Sequence, residues 1–431
     1  MIVMLLIKYF IGASLPDPMP RIILSFGFLI FAGYVSGEYA VKVGLPQITG
    51  YLFTGIICGP YVLNLVSHNT VVQLKIIDDL ALALIAFTAG GEMKISRVRG
   101  LFKSMFSIAL FQSILSAILV WGGFYLFSRY SNLKIFEDRV CIVVAAFMGA
   151  IAAASSPATA IAVIVSTKAK GRISNLTIGA TVVKDLIVLV GFTLALAFGY
   201  AFTKGSAVEF SIVGNVFVMM VAAVIFGFIV AGLIALFLKY AKREAVLFMI
   251  IISLALVFVA EKLELHFILI CLVAGFLVEN YTSLGGKLVG AIERTSKSVY
   301  IIFFAMAGVY IDFAALIKMW PYAVVIVVLR CLGLYAGTYL AGSFSREGRC
   351  LKQYGWMGFV GQAGVSLGLC TLVARAFPVW GADFRTIIIA AIAINQIIGP
   401  VLLKVLLNMA GETAQRHIEE VLRPDKSARL I

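Results

Sequence analysis

The chain has 431 residues, with 35 Lys and Arg against 21 Asp and Glu for a formal charge of +14, yet only 13% of residues are charged and 62% are apolar. A soluble domain carries roughly 45–50% apolar and 25% charged residues, so this composition, with a mean hydropathy of +1.06, excludes a soluble globular protein. The basic residues are spread along the whole length rather than gathered in a patch, which excludes a nucleic-acid binder.

In chain order, the first stretch (residues 1–20) is a short apolar run followed by Pro16, Pro18 and Pro20, and it reads as an uncleaved interfacial segment. Apolar runs then fall at about 21–40, 45–62, 77–93, 101–128, 139–166, 173–201, 211–239, 244–261, 265–281, 297–315, 320–342, 354–376 and 384–409. At ~20 residues per membrane crossing, these thirteen runs predict an all-α polytopic membrane protein. The tail, 410–431, is basic and reads as a cytoplasmic segment rather than a further domain.

The connecting segments sort by positive charge. One alternate set holds Lys94, Arg97, Arg99 and Lys103, then Lys168, Lys170 and Arg172, and three further basic groups of the same kind. The other set holds fewer basic residues, balanced by acids such as Asp78, Asp79, Glu261 and Asp383. The positive-inside bias makes the richer set cytoplasmic, with the N-terminus outside and the C-terminus inside, where the tail can also touch anionic lipid. Six scattered cysteines without CxxC spacing and three distant histidines give no metal cluster and imply no cofactor.

Most charges lie near helix ends, where long side chains snorkel to the headgroups. Three do not: Lys184 and Asp185 in the 173–201 run, and Arg330 in the 320–342 run. Ionisable groups at mid-membrane depth are costly and are a functional hypothesis by default.

Two runs contain helix breakers. The first has Ala154-Ser155-Ser156-Pro157-Ala158-Thr159 near its centre, where proline removes a backbone donor and disfavours helix at the residue before it. The second has three glycines in Gly358-Phe359-Val360-Gly361-Gln362-Ala363-Gly364. Each is the middle member of a triplet, 101–128, 139–166, 173–201 and 320–342, 354–376, 384–409, and the triplets start from opposite sides of the membrane. Paired interrupted helices in inverted repeats point to a transporter's binding site. Asp185 would lie beside the first break, and Arg330 would face carbonyl-rich helix ends.

On these features the sequence resembles the monovalent cation:proton antiporter superfamily, in particular bacterial sodium/proton and potassium/proton exchangers, over nearly all of 21–409. The residues that carry the resemblance are Leu45-Pro46 through Gly50-Tyr51-Leu52 to Gly59-Pro60, Phe87-Thr88-Ala89-Gly90-Gly91-Glu92-Met93, the Ser155–Thr159 break, Phe303-Phe304 with Gly308, and Asn395-Gln396-Ile397-Ile398-Gly399-Pro400. The resemblance implies two crossed discontinuous helices in a core built from 101–201 (with the ion site) and 320–409. It implies scaffold and dimerisation helices at 21–93 and 211–315, a homodimer, and a place in the bacterial inner membrane. It also implies that Asp185 binds cation and proton in competition and that Arg330 matches the family's basic residue before the second break.

The expected function is therefore exchange of Na+ or K+ for protons by alternating access, not enzymatic catalysis. The expected ion and proton site is Asp185 and Lys184 with Ser155, Ser156 and Thr159, supported by Pro157, Gln362, Asn395 and Arg330. One departure stands out: the position before the aspartate is Asp, Asn or Gln in comparable exchangers, and here it is Lys184. Lys184 could titrate as a second group, fill the site as a tethered cation, or turn away and serve structure alone. Two rival functions rest on the excess of intramembrane positive charge: a channel or ion sensor plugged by Lys184, and a sodium-coupled organic-anion symporter using Lys184 and Arg330.

Overall fold

The computed structural model describes residues 18–130, 135–204, 210–240, 244–263, 265–311, 313–362 and 364–413. Residues 1–17 of the expected interfacial segment and 414–431 of the basic tail lie outside the described residues. Every regular element among the described residues is a helix. A first group comprises α1 (Pro18–Lys42), α2 (Gln47–Cys58) and α3 (His68–Glu92). It is followed by α4 (Phe102–Tyr130), α5 (Asp138–Ala152), α6 (Pro157–Ser166) and α7 (Arg172–Lys204). Next come α8 (Phe210–Tyr240), α9 (Ala245–Lys262), α10 (Phe267–Tyr281) and α11 (Gly285–Val309). The chain ends with α12 (Phe313–Phe344), α13 (Arg349–Tyr354) running into a 3-10 turn (Gly355–Phe359), α14 (Gly364–Ala376) and α15 (Gly381–Met409).

The apolar runs fall on these helices, the 297–315 run covering the end of α11 and the start of α12. Eight of these elements are long and apolar enough to cross a membrane, and α2, α10, α14 and the Lys297–Val309 part of α11 are shorter apolar helices. Helices suit a hydrocarbon solvent because they satisfy their own backbone groups. The outward faces of α1 and α8 carry exposed large apolar side chains such as Phe31, Phe217 and Phe228, as a lipid-facing surface requires.

The helices pack in two bundles. One gathers α1–α3 with α8–α11, through the pairs α3–α10, α2–α11 and α8–α10; the other gathers α4–α7 with α12–α15, dominated by the α4–α12 pair. That pair is close because Gly333 and Gly337 of α12 lie against α4: a Cβ at either would stand 2.5 Å from the Cα of Ser116 or Gln112. Small residues at such a crossing let two backbones approach in a membrane. The crossing sets Ser116 of α4 against Gly333, one turn after Arg330, and Gln112 against Gly337.

Candidate functional site

The first break lies between α5 and α6. Ser156 is the N-cap of α6, its side chain accepting from Thr159 N at 3.1 Å, and Pro157 takes the first helical position. This is the arrangement in which proline's missing N–H costs least and a serine hydroxyl satisfies an orphan donor. The interruption is therefore a helix end followed by a helix start, rather than a proline kink.

The second break follows the 3-10 turn, and the two breaks are bonded to each other. Ser156 N donates to Gly361 O at 2.8 Å. Ser155 Oγ donates to Phe359 O at 2.8 Å, and Gln362 Nε2 donates to Ile151 O at 2.9 Å. Asn395 of α15 donates through Nδ2 to Gln362 Oε1 at 2.9 Å, which holds that amide in place.

Helix ends leave carbonyls without partners, and Arg330 collects them from both breaks. Its Nε donates to Ala152 O at 2.8 Å, and its terminal nitrogens donate to Ala154 O at 2.6 Å, Val360 O at 2.8 Å and Phe359 O at 3.0 Å. The side chain is fully buried. A guanidinium has five N–H donors in a fixed fork, and the partial negative charge of C-terminal helix ends offsets its desolvation.

Lys184 and Asp185, both on α7, have different surroundings. Lys184 is fully buried; its Nζ donates to Gln112 Oε1 at 3.0 Å and Ser155 Oγ at 2.8 Å, and lies 5.2 Å from the Phe359 ring centre. Gln112 is itself oriented by donating through Nε2 to Thr338 Oγ1 at 2.6 Å. Asp185, about 100° further round the helix, lines a cavity of about 30 Å³. Its Oδ1 is buried and has no hydrogen-bond partner among the described residues.

That cavity sits on the seam between the two bundles. Its walls include Leu82, Ile85, Ala86 and Ala89 of α3, Ile268 and Leu272 of α10, and Phe303 of α11, opposite Asp185 and the Ala154–Ala158 break. Among the described residues its polar side chains are Ser155, Ser156, Asp185 and Ser366. Of the expected site residues, the structure thus brings Asp185, Ser155, Ser156 and Pro157 to the cavity. Thr159, Lys184, Gln362, Asn395 and Arg330 do not line it; they hold the two breaks in register around it.

The chain is similar over most of its length to known membrane antiporters. The family described as "Sodium/hydrogen exchanger, transmembrane" matches residues 26–415. The chain belongs to this family. It is 23% identical over 329 residues to a Na+/H+ antiporter of Enterococcus hirae, covering 74% of this chain and 80% of that protein. It is 25% identical over 171 residues to a Na+/H+-K+ antiporter of Bacillus cereus, covering 39% of this chain and 41% of that one. The solved structure of a sodium proton antiporter from Methanocaldococcus jannaschii superposes with a TM-score of 0.68 at 15% identity, over 91% of this chain and 99% of that one. The chain is accordingly an integral membrane transporter of this family, with the antiporter fold.

Three features of the protein escaped sequence reasoning. Gln112 and Ser366 are uncharged, and the signal available for them was only a polar residue within an apolar run. Glu412, beyond α15, gave no signal at all. Its carboxylate accepts from Ile173 N at 2.7 Å, Ser174 N at 2.8 Å and Ser174 Oγ at 2.6 Å, so it caps α7 from 238 residues away. A second tie holds the same end of α7: Arg172 makes a two-pronged ion pair with Glu347, 3.1 Å from Nε and 2.6 Å from a terminal nitrogen, and Ser104 Oγ also donates to Glu347. Burial alone would raise the Glu347 carboxyl, but the hydrogen bonds from Arg172 and Ser104 and the Arg172 charge outweigh it and hold it below the ordinary glutamate range.

Proposed function

We propose that this protein exchanges a monovalent cation, Na+ or K+, for protons by alternating access, with cation and proton competing at Asp185. The observation that carries the proposal is the buried, unpartnered Oδ1 of Asp185 in a cavity at the seam of two bundles. An ionised carboxylate held there without a partner costs several kcal/mol. Either a proton or a cation removes that cost, and one excludes the other. Competition at one group couples the two fluxes with no added energy source. Both loaded forms carry the same net charge at Asp185, so the site is equally able to cross in either. That relatives are Na+/H+ and Na+/H+-K+ antiporters supports this choice of ions.

In this reading α4–α7 and α12–α15 form the moving core, while α1–α3 and α8–α11 form the scaffold and the homodimer surface, with the N-terminus outside. Arg330 locks the two breaks so that the core moves as one body. Lys184 braces Gln112 of α4 and Ser155 of the first break. Its absence from the cavity wall weighs against a tethered cation or plug, and the same absence of Lys184 and Arg330 weighs against an anion symporter.

The test is pH-gradient-driven Na+, K+ and Li+ flux in proteoliposomes, for wild type and Asp185→Asn. Abolished exchange in the variant is expected. Unchanged exchange would remove Asp185 from the mechanism, and flux without coupling to the proton gradient would favour a channel.

A further inference from the structure

We infer that Ser366 is a ligand of the transported cation, sharing the ion with Asp185 from the opposite repeat. This rests on the exchange reading above and extends it to a residue outside the expected ion site. The cavity's other serines have their oxygens engaged. Ser155 Oγ donates to Phe359 O and accepts from Lys184, while Ser156 Oγ accepts from both Thr159 N and Thr159 Oγ1, the latter at 3.0 Å. A hydroxyl has one donor and two lone pairs, so Ser156 has no lone pair left and Ser155 has one at most.

Ser366 differs on each count. It lines the same cavity as Asp185, is 1% exposed, and its Oγ has no hydrogen-bond partner among the described residues. A buried hydroxyl that bonds to nothing is costly, and a site that it completes when loaded accounts for that cost. Its place in the chain also suits the role. It lies in the first turn of α14, where free backbone groups are N–H donors rather than carbonyls, so a side-chain oxygen is what this helix end can offer a cation. Asp185 on α7 and Ser366 on α14 would then tie the two repeats through the ion itself. Hard oxygen donors of this kind suit alkali cations, and a sulfur at the same place would not.

The experiment uses the full chain in proteoliposomes and detergent, with Na+, Li+ and K+ chlorides as probes and choline chloride as control. Ser366→Ala and the near-isosteric Ser366→Cys are expected to raise the cation KM about tenfold, alter the Na+:K+ preference, and leave the maximal rate little changed. Ser366→Thr, which keeps the oxygen, is expected to restore the wild-type KM. Cation-dependent gain in melting temperature is expected to shrink in the Ala and Cys variants. If wild type exchanges and Asp185→Asn does not, while Ser366→Ala and Ser366→Cys keep wild-type KM and preference, this inference falls alone. If wild type shows no cation-coupled proton movement, the exchange reading falls and takes the inference with it.

Discussion

Lys184 Nζ is spent on Gln112 Oε1 and Ser155 Oγ, whereas Asp185, the next residue on α7, opens on the cavity with Oδ1 unpartnered. Adjacent helical residues diverge by about 100°, and here that angle separates a brace from an ion site. Lys184→Gln is therefore expected to keep cation/proton exchange, with the pH midpoint of the wild type. The check is the pH profile of exchange in proteoliposomes. A displaced midpoint would instead make Lys184 a second proton carrier and raise the proton count above one per cation.

Arg330 is expected to be far less replaceable. Its four carbonyl partners come from the ends of both broken helices. An ammonium offers its three donors from a single atom, so Arg330→Lys gives up the planar fork that reaches carbonyls of both breaks at once. Arg330→Met takes the donors from Ala152 O, Ala154 O and Val360 O, while Phe359 O keeps Ser155 Oγ, and each unsatisfied buried group costs about 1–3 kcal/mol. Thermal unfolding in detergent should rank wild type above Lys and Lys above Met, with the Met variant recovered poorly if at all. Equal melting temperatures would contradict this role.

Glu412 caps α7 through two backbone N–H groups and the Ser174 hydroxyl. Glu412→Ala is expected to destabilise the start of that helix by about 0.5–2 kcal/mol, the range for a lost N-cap. Amide hydrogen exchange should show faster exchange confined to residues 172–176. Removing everything after Met409 should give the same local signature, while protection that survives either change would rule the cap out.

The Arg172–Glu347 pair makes a pH-dependent contribution whose sign follows from the lowered Glu347 carboxyl. A group depressed on folding stabilises the protein fully above its unfolded pKa, about 4.3, and loses that contribution as pH falls through the folded value. Melting curves of wild type and Glu347→Gln should thus differ at neutral pH and converge below about pH 4. A difference that grew on acidification would reverse the assignment.

The two helix breaks were readable because proline and glycine act locally: Ser156-Pro157 has the chemistry of a cap and first turn wherever it occurs. Lys184, Asp185 and Arg330 were readable as exceptions to an apolar pattern. The neighbours they select were not. No spacing in the chain states that Gln112 meets Lys184, that Ser155 turns to Phe359, or that Thr159 and Asn395 stay off the cavity wall. Ser366 looks like any serine near a glycine until the cavity is closed around it.

The sequence by itself determined the solvent, the helices and the places where helices stop, because hydropathy, proline and glycine act on the few residues around them. The assignment of each polar oxygen was decided only by tertiary structure. In a dry interior a donor or acceptor must find a partner, and that partner comes from an element hundreds of residues away. Glu412 on α7 and the carbonyls gathered by Arg330 are two such meetings, and among the buried polar atoms left without a partner, those of Asp185 and Ser366 lie on the cavity.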